Sequence, residues 1–404
     1  MKKLILLAVV CLIAFTAFSQ KKNVSTVKTE ISGAKPDFKQ AQTLIKEALD
    51  NPETKDDPET WYVAGNLEDK IFSNENSKQL LKQEVNEPLM YEALVKSYDY
   101  FRKVFELEKI PNEKGKINNK FSKQAKSILK VNQFQYIDAG VYYHQQQAYD
   151  KAYEAFNIFL EIPELDIFNG EKLAADSIYN QIALYASYCA SYTGDEKTAI
   201  RLLESLKDKK YEQESVYSSL ADSYRNVEDT VQYMNILKEG SLLFPKNIKF
   251  IQSLINHYIN TGQMGEAMIH LDNAIAQEPG DPQYWRVKGE LYEAEKNFDK
   301  ALLALEESLK IDPEFPDAVG AIGRLYYNKG FELQTKANEL SIQESKVEIE
   351  KVKELYRKAL PHLEKARIIF PEEKQYIMAL YSVYYRLDMP KEMNEMEKLL
   401  NDDE

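Results

Sequence analysis

The chain has 404 residues, with 52 Lys and Arg against 65 Asp and Glu, and a formal net charge of −13. An acidic chain without a basic patch lacks the electrostatic signature of proteins that bind nucleic acid or anionic membranes, which excludes both classes. Tyr occurs 27 times and Gly only 14 times, and Ala, Leu, Glu and Lys are plentiful, a composition that favours helices.

The N-terminal segment, 1–19, has the pattern of an export signal. Lys2–Lys3 precedes an apolar run, Leu4–Phe15, and Ala17–Ser19 supplies a small-x-small site for cleavage before Gln20. The alternative is an uncleaved membrane anchor, but the apolar run is short for a membrane span. We therefore expect a signal peptide over 1–19 and no transmembrane segment after its cleavage. The mature chain is expected in the periplasm of a two-membrane bacterium, with secretion or association with the outer membrane as alternatives.

The next segment, residues 20–35, is polar and shows no hydrophobic periodicity, which predicts a flexible N-terminal segment. After it, Ala41, Ile45 and Ala48 share the spacing of one helix face, and Pro52 follows. This pattern predicts half of a helical repeat that covers the end of a stack, because terminal repeats are atypical. The predicted helical array runs from residue 36 to residue 404.

Two units in the first half of this array are interrupted by extra residues. The unit near 58–111 opens with Trp61 and Gly65, but its second helix is delayed. The extra residues, roughly 73–89, are either a loop or an extension of both helices, and a further helix is predicted over 114–132. The unit near 133–166 has Tyr136, Gly140 and Ala152 in matching positions and is followed by an insertion, LDIFNGEKLAADS.

From Asn180 onward the register is strict. Units are predicted near 180–213, 214–247, 248–281, 282–315 and 316–373, with their starts equally spaced, and a final unit is predicted near 374–400. In the unit from Pro316 the second helix is again delayed, and the intervening residues are rich in helix formers. The sequence predicts that two elongated helices form an antiparallel projection near Phe331–Glu354.

The clearest unit carries a recognisable motif. Between Asp281 and Pro313 the spacing is Trp285-x3-Gly289-x2-Tyr292, then Ala301-x3-Leu305, then Pro313. This pattern and its period of 34 resemble the tetratricopeptide repeat (TPR), of an exported bacterial type. Lys288 and Leu305 depart from the residues that the family prefers. The resemblance implies an all-α fold, a right-handed superhelical solenoid of antiparallel helix pairs, here with two elongated or inserted hairpins.

The glycines fall into two classes. Those in the middle of predicted helices cost stability, so each should mark a place where the partner helix approaches closely; they are Gly65, Gly140, Gly289 and Gly323. Those at the end of a predicted first helix are expected to be left-handed caps before the turn; they are Gly194, Gly262 and Gly330.

The search for catalytic chemistry gives no candidate. The sequence contains no Gly-rich phosphate loop, no HExxH, no nucleophile elbow and no paired cysteine spacing for zinc. The four histidines do not form a ligand set, and carboxylates are spread along the whole chain. We therefore predict no catalytic, cofactor-binding or metal-binding residues, and a protein that is not an enzyme.

The resemblance implies a binding function instead. In similar arrays the first helices line a concave groove that binds peptides or proteins, and this geometry assigns groove residues here. The predicted groove residues are Phe134, Ile137, Val141, Tyr188, Tyr192, Arg225, Asn226, Lys249, Asn256, Asn260, Arg286, Arg324 and Tyr327. The expected function is an exported scaffold that binds another envelope protein or a peptide segment through this groove or through the helical projection. The alternative is a purely structural subunit of an envelope assembly complex, with no groove ligand.

Overall fold

The computed structural model describes residues 21–111, 115–339 and 341–401. These residues form helices and turns without a β-strand, which confirms the prediction of an all-α fold. The predicted signal peptide over 1–19 lies outside the described residues. No helix in the described part of the chain is both long and apolar enough to cross a bilayer.

The chain divides into two compact units, with the boundary after Val227. Unit 1 contains ten helices among its described residues: α1 (21–30), α2 (Phe38–Asp50), α3 (Pro58–Leu80), α4 (Glu87–Glu108), α5 (Lys120–Asn132), α6 (Gln135–Gln145), α7 (Tyr149–Glu161), α8 (Asp176–Tyr192), α9 (Glu196–Leu206) and α10 (Gln213–Asn226). Two 3₁₀ turns, Ile162–Glu164 and Asp166–Phe168, lie between α7 and α8.

Unit 2 continues the pattern of helix pairs. Its described residues form α11 (Thr230–Leu243), α12 (Ile248–Asn260), α13 (Met264–Gln277), α14 (Pro282–Ala294), α15 (Phe298–Ile311), α16 (Pro316–Ala337), α17 (Ile342–Ile369), α18 (Lys374–Arg386) and α19 (Pro390–Asn401). Ile248, Pro282 and Pro316, three of the predicted unit starts, are the first residues of α12, α14 and α16. Each of these helices packs against the helix that follows it.

The predicted flexible segment over 20–35 is not what the structure shows for its described residues. Residues 21–30 are helical, and Val24, Val27 and Ile31 are buried in the core of unit 1. Their spacing places them on one face of a helix, a short apolar stripe that the polar composition of the segment conceals. Lys28 also pairs with Glu59 of α3 at 2.6 Å. Among the described residues the helical stack therefore starts at residue 21, not at residue 36.

The turns inside the hairpins share one backbone feature that recurs with the period of the repeat. Gly194, Glu228, Gly262 and Lys296 all have positive φ, between +58° and +82°, and each follows a first helix. A left-handed residue ends the helix and lets the chain reverse, and glycine adopts that conformation without strain. The predicted caps at Gly194 and Gly262 therefore have the expected geometry.

Gly330 falls at the next position of this series, but the prediction of a cap there is wrong. It lies inside α16, which continues to Ala337. A Cβ at Gly330 would lie 2.6 Å from the ring of Tyr356, so the absent side chain allows α17 to pack closely. In this hairpin the glycine at that position allows α16 and α17 to cross closely and does not end the helix.

In the two units whose second helix is delayed in the sequence, both helices of the hairpin are long. The extra residues near 73–89 mainly extend α3 and α4, which leaves a short connection between Leu80 and Glu87. In the α16–α17 hairpin, Ala337 and Val352 are buried, whereas Phe331 and Val347 are 59% and 60% exposed. The two elongated helices predicted here are confirmed, and Phe331 and Val347 lie on the exposed surface of their hairpin.

The helices of a hairpin cross most closely where a glycine faces a large side chain. At Gly289 of α14 a Cβ would lie 2.6 Å from Leu305 Cγ and 3.1 Å from the carbonyl oxygen of Ala301. Ala301 and Leu305 are themselves fully buried on α15. Because backbone atoms limit the space, the crossing cannot adapt by a side-chain rotation alone.

We expect Gly289→Ala to lower the free energy of unfolding by about 1–3 kcal/mol, because the added methyl group overpacks this crossing. The matched control is Gly265→Ala in α13, where an added Cβ would have no neighbouring heavy atom within 4 Å in the described part of the chain. The control should be neutral or stabilising by up to about 1 kcal/mol, since alanine favours the helix. Urea unfolding measured by circular dichroism tests both. Equal effects of the two substitutions would show that the crossing is not tight.

Asp69 is a buried carboxylate that joins α3 to α5. Asn132 Nδ2 donates a hydrogen bond of 2.7 Å to Asp69 Oδ1. Burial raises the pKa of Asp69, and the bond from Asn132 and the charge of Lys70 offset this only in part. A carboxyl group whose pKa is higher in the folded state than in the unfolded state costs folding free energy once it ionises.

We expect Asp69→Asn to gain stability relative to the parent chain as pH rises from about 4 to 7. Below the unfolded-state pKa both side chains are neutral. Above it, folding of the parent chain must either protonate the carboxyl group or bury its charge, and both cost free energy. The amide still offers an oxygen to Asn132. Urea unfolding at several pH values measures the difference, with the exposed Asp56→Asn as control. A difference that stays constant or shrinks with rising pH would refute this account of Asp69.

Candidate partner-binding surface

The first helices of successive hairpins lie beside one another. In unit 2, α12 packs on α14, α14 on α16, and α16 on α18, in addition to the contacts within each hairpin. Residues on the remaining face of a first helix therefore point away from both its hairpin partner and its neighbours. All thirteen predicted groove residues lie on first helices or immediately before them.

In unit 1, α6 and α8 each carry an apolar row with the same spacing. We call the six residues the apolar strip: Phe134, Ile137 and Val141 at α6, and Tyr185, Tyr188 and Tyr192 on α8. The spacing of i, i+3 and i+7 places each row on one helix face. Phe134 is 45% exposed and Tyr192 is 64% exposed, while Ile137 and Tyr188 are half-buried. Tyr185 was missed by the sequence analysis, although it has the same spacing.

Tyr192 lies in a cluster of rings at one end of this strip. Its ring centroid is 4.7 Å from that of Tyr149 and 6.5 Å from that of His144, and these two rings are 5.4 Å apart. Tyr149 begins α7 and His144 lies in the last turn of α6, so the cluster joins three helices. Sequence reasoning missed both residues because they lie at a turn rather than in the middle of a first helix.

Other predicted residues of unit 1 have local partners. Burial raises the pKa of Tyr188, and the nearby Ser219 of α10 offsets this only in part. Arg225 pairs with Asp222 at 2.7 Å on the same helix. Asn226 Nδ2 donates to Glu196 Oε1 of α9 at 2.7 Å. These polar side chains therefore have partners before any ligand arrives.

In unit 2 the predicted arginines belong to a network that we call the polar ladder. Its members, on α14 and α16, are Arg286, Glu290, Glu293, Arg324 and Asn328. Arg286 pairs with Glu290 at 2.6 Å, and Arg324 lies 3.4 Å from Glu290 and 3.8 Å from Glu293. Asn328 Nδ2 donates to Glu293 Oε1 at 2.9 Å. An incoming carboxylate would have to compete with Glu290 for both arginines.

The remaining predicted residues do not join this network. Lys249, Asn256 and Asn260 lie on α12, and no ion pair or hydrogen bond of the described residues joins them to the ladder. Tyr327 of α16 packs its ring 5.9 Å from Tyr356 and stacks on Phe331 at 6.5 Å, measured between centroids. Tyr327 thus supports the long α16–α17 hairpin. Seven of the thirteen predicted residues thus fall into two local sets, five in the apolar strip of unit 1 and two in the polar ladder of unit 2.

Comparison with known proteins identifies the repeat. Residues 282–315 match the family model described as Tetratricopeptide repeat. A human protein O-mannosyl-transferase, TMTC1, is 26% identical over 119 residues, which are 30% of this chain and 13% of that protein. The chain therefore spans about one eighth of the curated relative that it matches.

Solved structures give likenesses at low identity. A TPR protein from Bacteroides fragilis is 18% identical with a TM-score of 0.31, and the match covers 63% of this chain and 98% of that one. YrrB, described as a TPR protein with an unusual peptide-binding site, is 18% identical with a TM-score of 0.33 over 49% of this chain and 96% of that one. A monomeric mutant of IFIT1 is 15% identical with a TM-score of 0.39 over 84% and 69%.

We expect Glu290→Gln to change the free energy of unfolding by less than about 1 kcal/mol, because partly exposed ion pairs contribute little. Arg324 keeps Glu293, and Arg286 keeps its hydrogen bond to Gln283. Urea unfolding of the variant and of the parent chain measures the change. A loss well above this range would make the ladder a structural element rather than a surface available to a partner.

Proposed function

We propose that this chain is an exported TPR-type scaffold that binds a protein or peptide of the cell envelope through the apolar strip. Helical repeats of this kind generally bind proteins or peptides on the face formed by their first helices. The observation that carries the proposal is the exposure of large apolar side chains in two rows of equal spacing on α6 and α8. An exposed apolar patch of this kind is typical of an interaction site.

The strip fits an extended segment with apolar side chains. Phe134 is the first residue of the row at α6, and Val141 and Tyr192 are the last residues of their rows. Covering a large apolar side chain contributes about 1.5–3 kcal/mol. Aromatic residues held in place by neighbouring rings lose little side-chain freedom on binding. Tyr192, which packs against Tyr149, meets that condition.

The α16–α17 hairpin is the second candidate surface. Phe331 and Val347 are both exposed on long helices, away from the buried contacts at Gly330 and Val352. In the alternative function, a purely structural subunit of an envelope complex, this hairpin contacts the assembly and the apolar strip stays without a ligand. The exposed pair Phe331 and Val347 favours this alternative.

A catalytic role does not form part of the proposal. Repeats of this fold are generally not enzymes, and the motifs of the common catalytic sites are absent from the sequence. The similarity to the mannosyl-transferase TMTC1 covers 13% of that protein. Its activity is therefore not assigned to this chain.

Export is tested by the mature N-terminus. We expect the chain recovered from the host to begin at Gln20 and to fractionate with the periplasm or the outer membrane. N-terminal peptide mass spectrometry and cell fractionation measure both. Recovery of the chain in the cytoplasm with the segment 1–19 intact would overturn the proposed localisation.

The binding surface is tested by photo-crosslinking in the native host. A photoreactive phenylalanine analogue is placed at Tyr192 in the strip, at Phe331 in the hairpin, and at the exposed control position Val131. We expect a defined crosslinked protein from position 192 and none from position 131. Crosslinks from position 331 alone would favour the structural alternative.

A matched pair of variants completes this test. Val141→Ala with Tyr192→Ala should weaken capture of the crosslinked partner by about tenfold or more, since two side chains of the strip lose contact area. Ile110→Ala with Val131→Ala, which removes exposed apolar side chains elsewhere in unit 1, should leave capture unchanged. Equal losses in both pairs would show that the strip has no special role.

A further inference from the structure

The insertion between α7 and α8 contributes to an open cavity. Residues of the insertion, α7, α8 and α9 line this cavity, which has a volume of about 870 Å³. Ile162 and Phe168 are fully buried and fix the inserted segment to the core. The volume lies within the range of about 300–1,000 Å³ that is usual for ligand sites. No residue of the apolar strip lines this cavity.

Most acidic side chains that line the cavity already have partners. Glu161 accepts hydrogen bonds from Tyr98 Oη at 2.9 Å and from Asn157 Nδ2 at 2.8 Å. Asp176 pairs with Lys172 at 2.8 Å. Glu171 pairs with Lys126 at 3.2 Å and also with Lys130. Arg102 lies 3.9 Å from Glu161. Each of these three carboxylates therefore has a cation beside it, which weakens its repulsion of an anionic ligand.

Two basic side chains of the cavity lining form no ion pair within the described part of the chain. Arg201 lies on α9 and Lys209 just after it, and both line the cavity. Arg201 nevertheless lies near Asp195, whose pKa is lowered by hydrogen bonds from Thr198 and by this charge. Lys209 lies near Asp176, whose pKa is lowered chiefly by Lys172. Glu164 is the one lining carboxylate without an ion pair or hydrogen bond among these described residues. In a chain of net charge −13, two such cations in one cavity favour an anionic ligand.

The other lining groups suit a peptide rather than a small ion. Leu160, Ala183, Leu202 and Leu206 give the cavity an apolar floor. Asn180 adds a side-chain amide, which can both donate to and accept from a peptide group. A peptide presents carboxylates, backbone amides and apolar side chains together, so it can use all three kinds of contact.

We propose that this cavity is a second binding site, which takes an acidic peptide segment of a partner protein and places its carboxylates against Arg201 and Lys209. It is separate from the apolar strip, so the chain can hold a partner at two places or hold two partners. The inserted segment is then a binding element and not only a longer connection.

The test uses the full mature chain and a fluorescein-labelled octapeptide of alternating Glu and Ala. Octapeptides of alternating Gln and Ala, and of alternating Lys and Ala, are the charge controls, and inorganic phosphate is the small-anion control. Fluorescence anisotropy should show saturable binding of the Glu peptide, at least about tenfold tighter than that of the Gln peptide. Binding of the Lys peptide in preference, or displacement of the Glu peptide by millimolar phosphate, would overturn the proposal.

Two double variants with the same change of net charge locate the site. Arg201→Gln with Lys209→Gln should weaken binding by about tenfold or more. Lys123→Gln with Lys197→Gln removes lysines of α5 and α9 that do not line the cavity, and should keep binding within about twofold. Equal weakening in both pairs would reduce the interaction to general attraction between opposite charges and refute the site.

A measurement on the unsubstituted chain guards against misfolded variants. Lysine acetylation by a soluble reagent, followed by mass spectrometry, reports the accessibility of each lysine. The Glu peptide should slow acetylation of Lys209 by about tenfold near saturation and leave Lys197 unchanged, because Lys209 reacts only in the small fraction of chains whose site is free. Unchanged acetylation of Lys209 at saturating peptide would contradict the proposal.

Discussion

The close crossing of the two helices in each hairpin is the contact on which the rest of this structure depends. At Gly65, Gly140 and Gly289 a glycine on the first helix faces a large buried side chain of the second, and a Cβ would lie between 2.3 and 2.6 Å from it. Two helices that meet this closely present one common apolar face to the next hairpin. Each repeat stacks on its neighbours in this way, because a single hairpin cannot bury its own apolar surface.

The side chains at the motif positions are used in the crossing and stacking contacts, so they expose little surface to a partner. Ala301 and Leu305 are buried, and Trp285 and Tyr292 are partly buried. The residues between motif positions differ from hairpin to hairpin, and they determine the surface. In unit 1 they form the apolar strip, whereas in unit 2 they form the polar ladder. The two units thus have the same helix pairs but offer different chemistry to a partner.

The structure could be predicted from the sequence most reliably at positions where only one physical cause explains the residue type. A mid-helix glycine such as Gly289 and a turn glycine such as Gly262 were predicted correctly, since close approach and positive φ each favour glycine. Gly330 shows the limit of this reasoning: its spacing matches the turn series, but contacts with Tyr356 on a distant segment extend the helix. The apolar stripe of Val24, Val27 and Ile31 was overlooked because it is short and surrounded by polar residues.

Side-chain partners were the least predictable part of the surface. Nothing in the spacing of Arg286 and Arg324 indicates that both would meet Glu290, because that contact depends on how α14 and α16 lie beside each other. The ring cluster of His144, Tyr149 and Tyr192 likewise requires three helices to converge at one turn. The insertion after α7 was found as an interruption of the period, but the cavity that it helps to line depends on its folded path.

The central claim is that the apolar strip binds a partner while the motif residues hold the stack. Hydrogen–deuterium exchange of the chain alone and with its purified crosslinked partner tests it most directly. The account predicts slower exchange in α6 and α8 in the complex, with the amides of α16 and α17 unchanged. Slower exchange confined to α16 and α17, with α6 and α8 unaffected, would contradict it.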